Sequence, residues 1–409
     1  MSVDGTQADA ARRGLVDHLV AEGVIRTSAI EAAFRAVPRH RFLPGMPIAD
    51  AYADRSVVTK CGSDGAPLSS ASQPTIVAQM LEQARPRPGW RVLEIGAGTG
   101  YNAALLHELV GGTGQVTTIE IYDDVAAAAR RNLDDTGYED VLVLTGDGAL
   151  GAPEHAPFDL IIVTAGAWDI PAAWWAQLAP AGRVVVPLRW RGLTRSLALD
   201  HQPAGPGRPA SLISRSMHLC GFIAMTGGND GERTVALADD VVLFTDPDQS
   251  IDGELLHGVL DAPRVETWSG VVIDGDQPVE RIRSIEGIWL RLSTIEPGTC
   301  QFSAGPSAVR GGRATPASPV NPALVEGDSI AYLASRRVAA GVSRWEIGAI
   351  GHGPRGVELA ERIVEQIRLW AENRDAQPTV TLYPAGTPDE QMISGPTIDK
   401  RDSRMVLTW

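Results

Sequence analysis

Cysteine is scarce and irregularly placed in this 409-residue chain: Cys61, Cys220 and Cys300 are odd in number and form no Cys-x-x-Cys. That excludes a disulfide framework and a structural zinc site, and leaves ordinary reduced thiols as the expectation. The eight histidines include no His-x-x-x-His, so no helical metal pair is available and no metal is expected. No stretch approaches the ~18 consecutive apolar residues of a membrane span. Met1 to Ala11 carries no apolar segment ahead of a small-residue cleavage site, so the expected location is cytoplasmic. Basic residues number 36 against 50 acidic, a net charge of −14, and none form a block that could follow a phosphate backbone. Nucleic acid is therefore not the expected partner, whereas a peptide is compatible with an acidic surface. The cluster Arg35, Arg39, His40 and Arg41 reads as a solvated helix end whose cations complement the helix dipole, with a binding site as the alternative. No internal repeat is found.

What is present is ordinary globular composition, 44% hydrophobic and 21% charged. At roughly 150 residues per domain, the length predicts two or three domains. Apolar spacing predicts a first helix over Gln7–Glu22, and Ser28 with Glu31 reads as a capping box for a second, closed by Pro38. Tyr52–Ala71 lacks periodicity and is expected to be a loop over an active site. Pro74 opens a helix. Strands are then expected at Arg91–Ile95, Gln115–Glu120, Val141–Thr145, Asp159–Thr164 and Arg183–Pro187, alternating with helices at Gly100–Val110, Asp123–Asp134 and Pro171–Leu178. This succession implies α/β architecture, a Rossmann-like parallel sheet covered on both faces. Thr194–Asp200 and Ser211–Phe222 would append an antiparallel ribbon. Past Gly227-Gly-Asn-Asp-Gly231 the chain changes character: short strands, a Gly/Pro/Ala-rich stretch from Gly305, and one amphipathic helix bearing Leu359, Ile363, Ile367 and Trp370. The expected division is a catalytic domain over 1–226 and a mixed α+β domain over 227–409.

Chemistry concentrates in Val92-Leu-Glu94-Ile-Gly96-Ala-Gly98-Thr-Gly100-Tyr101, a strand entering a glycine turn and then a helix. Its glycine spacing departs from G-x-G-x-x-G, which disfavours a pyrophosphate-bearing dinucleotide. Glu120 closes the next strand about twenty residues on, where a carboxylate can accept from a ribose diol; a solvated strand-end acid is the alternative. Gly146-Asp147-Gly148 follows the third strand, suited to clamping an adenine amine beside a positive-φ backbone, or to a plain Asx turn. These elements converge where open α/β sheets bind ligands, and the ligand expected is an adenosine compound without phosphates.

Ser72-Gln73-Pro74, the VLEIGAGTGY run, Gly146-Asp147-Gly148-Ala-Leu-Gly151, and Phe158-Asp-Leu-Ile-Ile-Val-Thr164-Ala165 with Ile170-Pro171, Gln177-Leu178 and Gly182 follow the order seen in protein-L-isoaspartate O-methyltransferases. The resemblance covers roughly Ala10 to Thr226. It implies a Rossmann-like S-adenosylmethionine-dependent methyltransferase, with S-adenosylhomocysteine as product. By the resemblance, Glu94, Gly96, Gly98, Gly100, Glu120, Asp147 and Gly148 would hold the cofactor. Ser72 would correspond to the active-site serine, and Thr164 would lie beside the substrate. Ser69 and Ser70 could touch the peptide, though turn-forming hydroxyls are the simpler reading. Trp168, Trp174 and Trp175 could line a peptide groove or pack a helix. The long C-terminal half resembles the subgroup associated with lanthipeptide and other ribosomally made modified peptides. That subgroup resemblance implies methylation of an aspartate in a constrained, cyclised precursor peptide, the ester closing to a succinimide (aspartimide) or isoaspartate, with residues 227–409 recognising the precursor. Isoaspartyl repair and a non-catalytic peptide-binding module are the alternatives. Removing everything after Thr226 is expected to spare cofactor binding.

Overall fold

The computed structural model describes residues 3–226, 231–274, 278–339 and 341–409, the side chains of 3, 4 and 278–282 excepted. Most of the glycine-rich stretch expected to mark the domain boundary, 227–230, lies outside them, as do Met1 and Ser2.

Helices α1 (Val3–Ala21) and α2 (Ser28–Ala36) send Val16, Leu19, Ile30 and Phe34 into a core shared with later elements. The expected capping box does not form. The N-cap of α2 is Thr27, no side chain caps it, and Glu31 instead accepts from Arg35 one turn on at 2.9 Å. After α3 (Ile48–Ala51), the segment expected to be a loop folds as an antiparallel hairpin, β1 (Val57–Cys61) and β2 (Pro67–Ala71). Its pairing shifts register at Lys60, which breaks the strict alternation by which a strand is read from sequence. Helix α4 (Pro74–Ala84) begins with its proline in the first turn, where no amide bond is lost.

The alternating region forms β3 (Arg91–Ile95), α5 (Tyr101–Val110), β4 (Gln115–Glu120), α6 (Asp123–Asp134), β5 (Leu142–Thr145), β6 (Phe158–Val163), α7 (Ala172–Gln177) and β7 (Leu178–Trp190). All five strands are parallel in the order β7-β6-β3-β4-β5. The chain builds outward from β3 on one side and returns to build on the other. This switch point opens a crevice at the carboxyl end of β3. Then β8 (Leu193–Gln202) and β9 (Ser211–Leu219) add the antiparallel ribbon.

A second, wholly antiparallel sheet follows. Its elements are β10 (Arg233–Ala238), β11 (Val241–Thr245), β12 (Val265–Asp274), α8 (Pro278–Ile295), β13 (Thr299–Ala304), α9 (Pro306–Arg310), β14 (Val320–Glu326), β15 (Ser329–Arg337) and β16 (Arg344–His352). The strands run β10-β11-β13-β14-β15-β16-β12. Helix α10 (Gly356–Glu372) lays Leu359, Ile363, Ile367 and Trp370 against it.

The last strands, β17 (Thr379–Pro384), β18 (Thr397–Asp399) and β19 (Ser403–Thr408), do not join that sheet. They return to β9 and extend the first sheet to ten strands. The expected split into 1–226 and 227–409 therefore does not follow the sheets. The outer edge of β9 would otherwise be open, and Val380, Leu382, Met405 and Leu407 cover Leu212 and Met217 in one core. Between the sheets, Arg191 pairs with Asp246 and Asp248, Trp289 Nε1 donates to Arg191 O (2.9 Å), and Trp190 Nε1 donates to Ser293 Oγ (3.1 Å).

Candidate active site

A cleft of about 1080 Å³, counted to its mouth, lies at the carboxyl ends of β3, β4 and β6. Residues 68–71 of the hairpin, Ser72 just after it, and 222–226 after β9 form its other walls.

Its floor is the glycine turn. Gly96, Gly98 and Gly100 have φ of +99°, +51° and +88°, a succession that side-chain-bearing residues rarely adopt. At Gly96 there is no space either, since a Cβ would lie 2.6 Å from Thr164 Oγ1. Thr164 lines the cleft, but its hydroxyl donates to Ile95 O (3.0 Å) and Gly96 O (2.6 Å). It braces the turn, so the expected substrate contact is not what its hydroxyl serves in this structure.

Glu120 is buried at the end of β4. Its Oε2 accepts from Gly98 N (3.0 Å), and Oε1 accepts from Ile121 N (3.1 Å) and Tyr122 N (3.3 Å). The carboxylate is thus locked to the glycine turn at the cleft wall, and the solvated-acid alternative does not hold. Glu94 is fully buried, accepting from Asn102 Nδ2 (2.8 Å) and Thr118 Oγ1 (2.6 Å). Burial pushes its carboxyl up to about 7, with the nearby Glu120 charge adding to the rise.

Asp147 and Gly148 divide. Asp147 Oδ1 accepts from Ala149 N (2.9 Å), the Asx-type alternative, and Asp147 does not line the cleft. Gly148 does line it, but without positive φ. Glycine is required there because a Cβ would overlap Ile95 Cγ2. Trp174 holds this turn through Nε1 to Gly148 O (2.9 Å) and is fully buried, while Trp175 Nε1 donates to Ile170 O (3.3 Å). None of the three tryptophans lines the cleft, and packing is the use the structure makes of them.

Ser72 is half-buried in the cleft wall, and its hydroxyl has no partner among the described residues. Ser70 sits on β2 with its carbonyl 3.4 Å from where a Cβ of Gly98 would be. Ser69 is buried and accepts from Thr59 Oγ1 (3.2 Å) across the hairpin. Both are strand residues and not turn formers.

One wall residue belongs to the basic cluster for which the solvated helix end is the reading favoured by sequence. Arg39, expected on a solvated helix end, is 1% exposed. Nε donates to Ala51 O (3.0 Å), Nη2 donates to Ser72 O (2.9 Å), and the guanidinium lies 4.9 Å from the Tyr101 ring centroid. Its neighbours Pro38, Phe42 and Leu43 were the available signal that this stretch turns inward. Residues 222–226 carried no motif.

Arg39 is the sole basic side chain among the described residues lining the cleft. A glycine-floored cradle, a buried carboxylate and no cluster of cations fit an adenosyl group without phosphates. The fold and site define a Rossmann-like methyltransferase. The sequence profile of the protein-L-isoaspartate(D-aspartate) O-methyltransferase family matches residues 10–226, more than half the chain, and the chain belongs to that family.

The Methanopyrus kandleri protein-L-isoaspartate O-methyltransferase is 40% identical over 219 residues, which is 53% of this chain and 92% of that one. The Hyperthermus butylicus enzyme of the same name is 40% identical over 225 residues, 53% of this chain and 89% of its own. A solved protein-L-isoaspartate O-methyltransferase structure shares the fold at TM-score 0.50 and 24% identity, over 90% of this chain and 96% of that one. This chain is an S-adenosylmethionine-dependent carboxyl O-methyltransferase. Among the described residues no helix is long and apolar enough to cross a membrane, and no cluster of three or more potential metal ligands occurs.

Proposed function

We propose that the enzyme esterifies the free carboxylate of isoaspartyl residues in peptides or proteins, releasing S-adenosylhomocysteine. The observation that carries the reading is one cleft holding both the Glu120-locked glycine turn and the hydroxyl of Ser72, which has no partner among the described residues. S-adenosylmethionine, when bound, supplies an electrophilic methyl group. Glu94, Gly96, Gly98, Gly100, Glu120 and Gly148 are the residues proposed to hold it. Asp147 acts on this account through the turn that presents Gly148.

A carboxylate with an ordinary pKa near 4 is already ionised at neutral pH, so the chain needs no general base. What it must supply is alignment. Ser72 donates a hydrogen bond that orients the carboxylate without taking its proton. Val77, Met80 and Phe222 give the cleft apolar walls that keep water from competing. Residues 222–226 wall the cleft and lead directly into the second half of the chain, which supports a peptide-holding role for that half. Three free cysteines suit a reducing compartment, and the cytoplasm is the location proposed.

The narrower reading, an ordinary aspartate in a ribosomally made precursor converted to succinimide, rests on the length of the C-terminal half. Because a solved isoaspartate methyltransferase shares the fold over 90% of this chain, that length does not separate the two substrates. Paired constrained peptides, identical except for aspartate or isoaspartate at one site, separate them by mass spectrometry. Methyl gain by the isoaspartyl peptide is the expected result. Methyl gain followed by methanol loss from the aspartyl peptide alone would select the precursor reading.

A further inference from the structure

Arg39 presents a charge that no described residue pairs. Its guanidinium is ionised at every physiological pH and 1% exposed, yet forms no ion pair among the described residues. The two bonds it makes go to neutral carbonyls, of Ala51 and Ser72, and the Tyr101 ring covers one face. Nη1 is buried with no hydrogen-bond partner among the described residues. Asp54, the nearby carboxylate that acts on it electrostatically, is committed elsewhere. Its Oδ1 accepts from Thr75 N (2.9 Å), and Oδ2 from Thr75 Oγ1 (2.7 Å) and Gln73 Nε2 (3.1 Å).

A buried cation left without a counter-charge is strongly unfavourable, and a guanidinium with a free arm matches a carboxylate. Arg39 also lines the cleft beside Ser72, where the reaction proposed above takes place. Both candidate ligands there carry a carboxylate: the amino-acid end of the cofactor and the side chain or backbone terminus of the peptide.

We infer that Arg39 is a ligand-carboxylate subsite of this cleft, with Nη1 completing its coordination only when a carboxylate-bearing ligand is bound. The inference rests on the methyltransferase reading. Through Ser72 O, the same guanidinium also ties the subsite to the hydroxyl-bearing residue. Lysine cannot reproduce this fork, because the Ala51 and Ser72 carbonyls and the ligand are served by three separate nitrogens of one rigid plane.

The test titrates wild type, Arg39→Lys and Arg39→Gln with S-adenosylhomocysteine and with decarboxylated S-adenosylmethionine by calorimetry, alongside peptide KM and kcat. Circular dichroism establishes that each variant is folded. If the cofactor supplies the carboxylate, wild type prefers the carboxylate-bearing ligand by about ten- to a hundredfold and the preference collapses in both variants. If the peptide supplies it, cofactor affinities hold and peptide KM rises by the same factor. Unchanged preference together with unchanged KM in a folded variant overturns the subsite. Should neither variant fold, arginine-labelled wild type decides: a guanidinium resonance that moves with neither ligand overturns it equally. Wild type that binds no cofactor at all would overturn the function proposed above as well, which distinguishes the two failures.

Discussion

Glu94→Gln isolates the charge buried beneath the glycine turn. In the folded protein burial raises this carboxyl from the ordinary 4.5 to about 7, so the folded state retains a proton that the unfolded chain releases. A raised acid contributes its full stability below pH 4.5, and that contribution is lost as pH rises through about 7. At 1.36 kcal/mol per pH unit the span corresponds to about 3 kcal/mol. Glutamine keeps the shape: Oε1 still accepts from Asn102 Nδ2, and Nε2 can donate to Thr118 Oγ1, whose hydroxyl rotates. The variant should therefore gain stability over wild type progressively from pH 5 to 8, by about 3 kcal/mol at the upper end. Urea unfolding at intervals across that range, analysed as the difference between the two proteins, cancels every other titrating group. A difference that stays flat from pH 5 to 8 would refute the argument, because it would mean Glu94 is solvated or otherwise compensated in its ionised form.

Ser72→Ala removes one orienting hydrogen bond. It should lower kcat about three- to tenfold while S-adenosylhomocysteine affinity holds; an equal loss of cofactor affinity would place the hydroxyl on the cofactor instead. Gly148→Ala forces a methyl onto Ile95 at the end of β3, and should cost about 1–3 kcal/mol with a parallel loss of cofactor affinity, read by thermal melts and calorimetry. Lys400 donates to Trp168 O (2.6 Å) and Arg189 O (2.9 Å), tying β18 to the segment that follows Thr164. Lys400→Met leaves both carbonyls unpaired and should lower stability by about 1–3 kcal/mol in urea titrations. Truncation after Thr226 strips Val380, Leu382, Met405 and Leu407 from the core around Leu212 and should give an aggregating product in gel filtration. A monomeric, cofactor-binding 1–226 fragment would restore the simpler division expected from sequence.

Local order along the chain was legible before folding. From Arg91 to Thr164 the strands, the glycine turn and the acid at the end of β4 follow from periodicity and turn chemistry, because each is decided by residues a few positions apart. The convergence of Gly96, Gly98, Gly100 and Glu120 on one crevice followed from topology rules applied to that order. Long-range contact decided the rest. The hairpin 57–71 becomes regular only by pairing across a shifted register. Asp147 turned to its own backbone, and Thr164 to the glycine turn, choices between hydrogen-bond partners that composition leaves equal. Arg39 moved from an expected solvated face into the cleft wall because Ala51 and Ser72, 12 and 33 residues away, present their carbonyls there. The return of β17–β19 to β9 depends on an open edge more than 160 residues earlier, which no window of sequence contains. Sequence alone determined the elements from Arg91 to Thr164 and the glycine turn between them, since those are local; tertiary structure alone decided which charges are buried and which strands share a sheet, since those depend on partners distant along the chain.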